Sequence, residues 1–137
     1  MSKIFLDTNF LVYTIDNHDP AKKKLSRLIL EKIINENTPV ISTQVIQELF
    51  VTLTKKLDIE PLLAKNIIHS FEHLEIVCIS MNIIKEAIDC STVNKLSFWD
   101  SLIICAAENA KCELLYTEDL NHGQIIRGIK IVNPFLL

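Results

Sequence analysis

Short apolar runs that alternate with helical patterns constrain this chain more than any other feature. Lys3-Ile4-Phe5-Leu6 reads as a buried strand ending at Asp7. A short helical segment follows from Phe10 to Ile15, and Asp16-Asn17-His18-Asp19-Pro20 reads as a loop. From Ala21 to Asn37, Leu25, Leu28, Ile29 and Ile33, joined by Leu30 and Ile34, fall at helical spacing. Thr38-Pro39 stops that helix, because the residue before a proline avoids the α region. Val40-Ile41 reads as a second, very short strand. Ser42 or Thr43 then caps a helix with Val45, Ile46, Leu49, Phe50, Leu53 and Leu57 on one side. Pro61 suits the first turn of a helix running to about His73. Leu74 to Ile79 is a third strand. Ser80 starts a helix that buries Ile83, Ile84, Ala87 and Ile88, and Ser97 starts another with Leu102, Ile103, Ala106 and Ala110 on one stripe. Glu113–Tyr116 and Ile129–Val132 complete the pattern as fourth and fifth strands. Strands separated by helices predict an α/β fold, with a parallel sheet of about five short strands and helices on both faces.

The 137 residues fit one domain, and no repeat, linker or low-complexity tract divides them. Only two glycines occur, Gly123 and Gly128. A Walker loop and a dinucleotide-binding fingerprint both need clustered glycines at a helix start, so both are excluded. The net charge of −3 gives no global basic field, and nucleic-acid binding would have to rest on local lysines or on metal ions. The N-terminus meets Asp7 before a long apolar region develops, and no stretch reaches the roughly 18 apolar residues of a membrane span. Cys78, Cys90, Cys105 and Cys112 include no CxxC and read as buried, reduced thiols. Together these features lead us to expect a cytoplasmic protein with no membrane contact.

Open parallel sheets bind ligands outside the carboxyl ends of their strands. After the first strand comes Asp7-Thr8-Asn9, and after the second Ser42-Thr43, with Glu48 about two turns into the helix. After the fourth comes Thr117-Glu118-Asp119. Asp100 lies in the first turn of the Ser97 helix. Like charges in one crevice repel unless a cation neutralises them, and hard oxygen donors suit Mg²⁺ or Mn²⁺. Each acid also has a plain structural reading. Asp7 can cap a helix, Asp100 can close a Ser97-x-x-Asp100 capping box, Asp119 can serve a turn, and Glu48 can be a solvated helix acid. Spacing alone leaves the two accounts evenly matched.

The motifs themselves go further. Ile4-Phe5-Leu6-Asp7-Thr8-Asn9-Phe10-Leu11-Val12-Tyr13 resembles the opening strand of PIN domains. Glu48, in Ser42-Thr43-Gln44-Val45-Ile46-Gln47-Glu48-Leu49, matches that family's second acid. Leu96-Ser97-Phe98-Trp99-Asp100-Ser101-Leu102-Ile103 resembles the third acidic motif, and Leu115 to Gly123 the fourth. Ile129 to Phe135 resembles the closing strand. The motifs run in order along essentially the whole chain, with little signal between Asp58 and Lys95. Within that family the chain resembles the VapC-type toxins of toxin–antitoxin pairs.

The resemblance implies a PIN-like three-layer α/β/α sandwich, a single domain over residues 1–137, and a metal-dependent ribonuclease. Asp7, Asp100 and Asp119 would hold one or two Mg²⁺ or Mn²⁺ ions, with Glu48 as a further ligand or as the group orienting the attacking water. All four would be catalytic, and Asn9 and Thr117 would orient them by hydrogen bonds. Bound ions would reverse the sign of the pocket and activate water for in-line attack on an RNA phosphodiester. The expected partners are RNA, a cognate antitoxin and a second copy of the chain in a homodimer. The apolar N-terminal helices, with the lysine cluster beside them, are the expected contact surfaces. The alternatives are a metal-dependent phosphohydrolase or a DNA-directed nuclease using the same acids, and a non-catalytic PIN scaffold. A haloacid-dehalogenase phosphatase is disfavoured, because Asp7-Thr8-Asn9 lacks the second aspartate of that nucleophile motif.

Other residues are read structurally. His69 and His73 lie four apart with no third ligand, so a polar helix face is expected, and His122 reads as a loop histidine. Lys22, Lys23 and Lys24 with Arg27 form a basic patch, read as a solvated face with phosphate contact as the alternative, along with Lys55, Lys56 and Arg127. Trp99 is expected in the core rather than against a base. Thr8 is read as a helix start, Ser101 as packing, and Glu118 as pointing away from Asp119.

Overall fold

The computed structural model describes residues 2–137; Met1, where the expected domain begins, lies outside them. The first half runs β1 (Lys3–Leu6), α1 (Thr8–Tyr13), α2 (Pro20–Glu36), β2 (Thr38–Ser42), α3 (Thr43–Val51), α4 (Pro61–His69) and β3 (Glu75–Val77). The second runs α5 (Met81–Asn94), α6 (Phe98–Asn109), β4 (Leu114–Tyr116), β5 (Ile125–Ile126) and β6 (Ile129–Val132). The six strands form one sheet in the order β3-β2-β1-β4-β6-β5, parallel except for the β5–β6 pair. Strands are added outward from β1 on one side and from its parallel neighbour β4 on the other, so the topological switch point lies between them. Right-handed crossovers carry α1 to α4 to one face and α5 and α6 to the other. The packing agrees: α1 meets α2 and α3, α3 meets α4, and α5 lies along α6.

The expected five strands are present and a sixth is added. β5 is only two residues long and forms a hairpin with β6, too short to register as a strand pattern. Its turn is Arg127-Gly128, with φ of 50° and 79°. Two successive positive φ angles make the type I′ geometry that matches strand twist, which explains why a glycine stands here. β2 starts at Thr38 and includes Pro39, earlier than expected. The Thr38 amide donates to Ser2 O at 3.0 Å, so by alternation Pro39 turns its missing donor toward β3, whose pairing begins only opposite Val40.

Phe5, Leu6, Ile41, Leu115 and Ile131 fill the sheet interior with Leu11, Leu49, Leu53 and Ile104 from the helices. In α6 every residue from Ser101 to Ala107 is buried, which marks it as a core helix. The expected stripe on α2 departs most from prediction: Ile33 is buried, but Leu25 and Leu28 are 44% and 55% exposed and Ile34 is also exposed. Phe50 and Ile88 likewise face outward, and Cys90 takes the inward position expected of Ile88. Helical spacing shows that a face is apolar; it does not show what covers it. Cys78 is exposed, against expectation, while the other three thiols are buried. Burial pushes Cys105 and Cys112 up to about 12, so both are inert neutral thiols. Among the described residues no helix is long and apolar enough to cross a membrane.

Candidate active site

β1 ends at Leu6 and delivers Asp7 to the carboxyl edge of the sheet. Asp7 caps α1, and its Oδ1 accepts from the Thr8 amide at 2.7 Å. Its Oδ2 accepts from Thr117 Oγ1, also at 2.7 Å. Thr117 follows β4 directly, on the other side of the switch point, and its hydroxyl also accepts from the Asp119 amide at 3.1 Å. One buried hydroxyl therefore ties the first acid to the loop that carries the last. Asn9 Nδ2 makes a long contact of 3.5 Å with Asp119 Oδ2.

Glu48 comes from α3, which starts right after β2 because Ser42 Oγ accepts from the Val45 amide. Thr8 Oγ1 donates to Glu48 Oε1 at 2.7 Å. Thr8 is thus both the first residue of α1 and the group that orients Glu48, a role its position alone did not reveal. Asp100 reaches the site from the first turn of α6, where its amide donates to Ser97 Oγ at 3.0 Å. The reciprocal half of a capping box is not made: among the described residues the Asp100 carboxylate accepts no hydrogen bond. It is left free to line the cleft.

Asp7, Glu48, Asp100 and Asp119 all line a single open cleft of about 440 Å³, with Thr8 and Asn9. Burial is the main influence on Asp7 and raises it to about 6 against the pull of the Thr117 and Thr8 hydrogen bonds, with the charges of Asp119 and Glu48 adding to the rise. The donor set suits a hard divalent cation: carboxylate oxygens of four residues on one cleft, oriented by threonine hydroxyls. Among the described residues, no three His, Cys, Asp or Glu side chains are drawn close enough together to hold an ion.

Two features of the cleft were not read from the sequence. Trp99 is not in the core but 63% exposed on the cleft wall. Phe98 takes the inward place, and a residue one step along a helix points about 100° away. α3 also runs on from Val51 into a π-helical turn, Thr52–Lys56, and the junction residues Val51 and Thr52 line the cleft. Such turns recur at functional sites.

The remaining residues settle elsewhere. Lys22 is neither a solvated lysine nor free for phosphate: it pairs with Glu118 at 2.8 Å, over the rings of Tyr13 and Phe135. That pairing turns Glu118 away from the cleft. Arg27 donates to Thr14 O, and Arg127 pairs with Glu86 and Glu108. Ser101 is buried and donates to Ser97 O. His69 pairs with Glu72 past the end of α4, His73 contacts Ser70 O, and His122 accepts from the Asn133 amide.

Comparison with known proteins adds a family. The profile of the PIN domain matches residues 4–127. Among solved structures the chain is similar to VapC20 of Mycobacterium tuberculosis, a Sarcin-Ricin loop cleaving toxin. The TM-score is 0.67 at 16% identity, over 85% of this chain and 89% of that one. It is similar to VapBC2 of Rickettsia felis bound to a promoter DNA fragment, with TM-score 0.70 and 21% identity over 94% and 96% of the two chains. DNA-bound VapBC of Salmonella typhimurium gives 0.69 and 22% over 96% and 97%. No curated protein matches. At these identities the likeness is one of fold.

Proposed function

The chain belongs to the PIN domain family, and on that premise we propose that it is a Mg²⁺- or Mn²⁺-dependent endoribonuclease, the toxin of a VapBC-type toxin–antitoxin pair. The observation that carries this reading is the convergence of Asp7, Glu48, Asp100 and Asp119 on one cleft at the switch point of the sheet. Asp7, Asp100 and Asp119 would hold the metal, and Glu48 would add a ligand or orient the attacking water. Divalent ions bound there supply a reversed local charge, an activated water and stabilisation of the leaving oxygen.

The protein's own part is positioning. Thr117 holds Asp7 and the Asp119 backbone together, Thr8 holds Glu48, and the Ser97 cap sets Asp100 at the rim. Cleavage by water leaves a 5′-phosphate and a 3′-hydroxyl, and the ribose hydroxyl is not the nucleophile. Preference for RNA must then come from binding.

The partners proposed are a cognate antitoxin and a second copy of the chain, acting in the cytoplasm. The exposed Leu25, Leu28 and Ile34 of α2 support a covered face, as does the apolar groove of about 210 Å³ that Leu25 and Ile29 share with Leu137. Residues 1–137 are proposed to act as one domain.

Expression in a bacterial host without antitoxin tests the reading. Wild type should arrest growth, with cut RNAs recoverable, and Asp100→Asn should not. Equal growth with both would count against it. The non-catalytic scaffold draws support from the ungathered carboxylates. Calorimetric titration with Mn²⁺ separates the two, since a scaffold should bind no metal.

A further inference from the structure

We propose that Trp99 is the stacking platform for an unpaired nucleobase of the strand whose phosphodiester lies among the carboxylates. The inference rests on the ribonuclease reading and names the part of the substrate that acids and metal ions do not read. An indole 63% exposed is unusual, because a large apolar ring left in water forgoes its burial energy. This one stands on the wall of the acidic cleft, one residue before Asp100.

Its setting is prepared rather than loose. The Phe98 ring meets the indole edge-on, with centroids 5.2 Å apart and planes at 73°. Gln44 Nε2 donates to the Trp99 carbonyl at 3.2 Å, tying the first turn of α6 to α3. From α3, Gln44, Gln47, Glu48 and Val51 reach the cleft at helical spacing; from α6, Trp99 and Ile103 do. Beside the carboxylates the cleft therefore has a wall of amides and apolar groups, the chemistry a base requires. Its volume, about 440 Å³, lies in the range of small-ligand sites.

Two further observations point the same way. Among the described residues, Gln44 Oε1 is a buried polar atom with no partner. An unmet acceptor is unfavourable until a donor arrives, and exocyclic amines and ribose hydroxyls are donors. In addition, among the described residues no lysine or arginine lines the cleft, and Lys22 and Arg127 are paired elsewhere. Backbone attraction from fixed cations is weak here, so grip on a strand must come from metal ions and from stacking. Aromatic–base stacking changes affinity by roughly 5- to 150-fold per base.

Steady-state cleavage of a single-stranded RNA chosen from the pool that the wild-type protein cuts provides the test. Trp99→Ala should raise KM by roughly 5- to 150-fold, with the loss falling on KM rather than kcat, and Trp99→Phe should restore most of it. Removing single bases around the cut should reproduce that loss at one position in the wild type and cost Trp99→Ala nothing further there. A merely structural Trp99 would not give that position-specific non-additivity. Trp99 is the only tryptophan, so its emission should also be quenched when the strand binds.

If the wild type cleaves RNA while Trp99→Ala shows an unchanged KM, stacking is wrong and the nuclease reading stands. If in addition Trp99→Ala loses only binding to the antitoxin, the ring serves a protein partner and the proposal is overturned. If the wild type cleaves no RNA at all, the nuclease reading itself fails and takes this proposal with it.

Discussion

Asp7, raised to about 6 chiefly by burial, makes stability depend on pH in the opposite sense to an ion-paired aspartate. Its folded value lies above the ordinary aspartate value of 3.8, so its contribution to stability is full at acid pH. That contribution is lost as the pH rises through about 6. In protein stripped of divalent ions, Asp7→Asn should therefore be more stable than wild type at pH 8, by about 3 kcal/mol. The gap should narrow as the pH falls below about 6 and close only below the ordinary aspartate value of 3.8, which thermal melts in EDTA would show. Thr117 carries a second prediction. Thr117→Val removes both the donor to Asp7 and the acceptor for the Asp119 amide. Metal affinity or cleavage rate should fall about 10- to 100-fold, read by Mn²⁺ calorimetry and RNA cleavage. At this scale the strand pattern put Asp7, Asn9, Thr117 and Asp119 just after strand ends, and the motifs singled out Glu48 and Asp100; the structure brings the four acids to one cleft and bonds Thr117 to Asp7. It did not carry the orienting role of Thr8, which depends on a side chain 40 positions away. Nor did it carry the outward turn of Trp99, which depends on Phe98 winning the inward place.

Among the elements, α6 separates a structural role, that of Ser97, from the role proposed for Asp100. Ser97 caps the helix, so Ser97→Ala should cost about 1 kcal/mol of stability. Asp100 returns no bond to the cap, so Asp100→Asn should cost less than about 1 kcal/mol, the scale of a helix-dipole interaction. It should nevertheless abolish cleavage. Denaturant unfolding of both variants beside an RNA cleavage assay tests the contrast. The elements differ in how legible they were. α6, apolar through most of its length, was placed well, and so were β1, β4 and β6, whereas β2 begins two residues before the expected Val40. α2 misled, because an apolar stripe on a helix that packs on the outside of its layer ends up facing solvent. β5 escaped because two residues have no periodicity; only Arg127-Gly128, between apolar pairs, marked the hairpin.

For the molecule as a whole, the sheet brings together acids scattered from position 7 to position 119 while the net charge stays at only −3. Charge concentrated in one cleft should make a divalent cation stabilising. Mg²⁺ at a hundred times its dissociation constant should add about 2.7 kcal/mol at pH 8, and less at pH 5, where Asp7 is largely protonated. Thermal shift at the two pH values would read this without reference to activity. The central claim is that these four acids form one metal-dependent ribonuclease site. Its most direct test is incubation of purified, antitoxin-free protein with a mixed RNA pool in Mg²⁺ or Mn²⁺, beside Asp100→Asn and an EDTA control, with the cut ends mapped by sequencing. The account predicts cuts at defined positions bearing 5′-phosphates, absent in EDTA and in the variant. An intact pool with wild type, or cutting that survives both EDTA and Asp100→Asn, would contradict it.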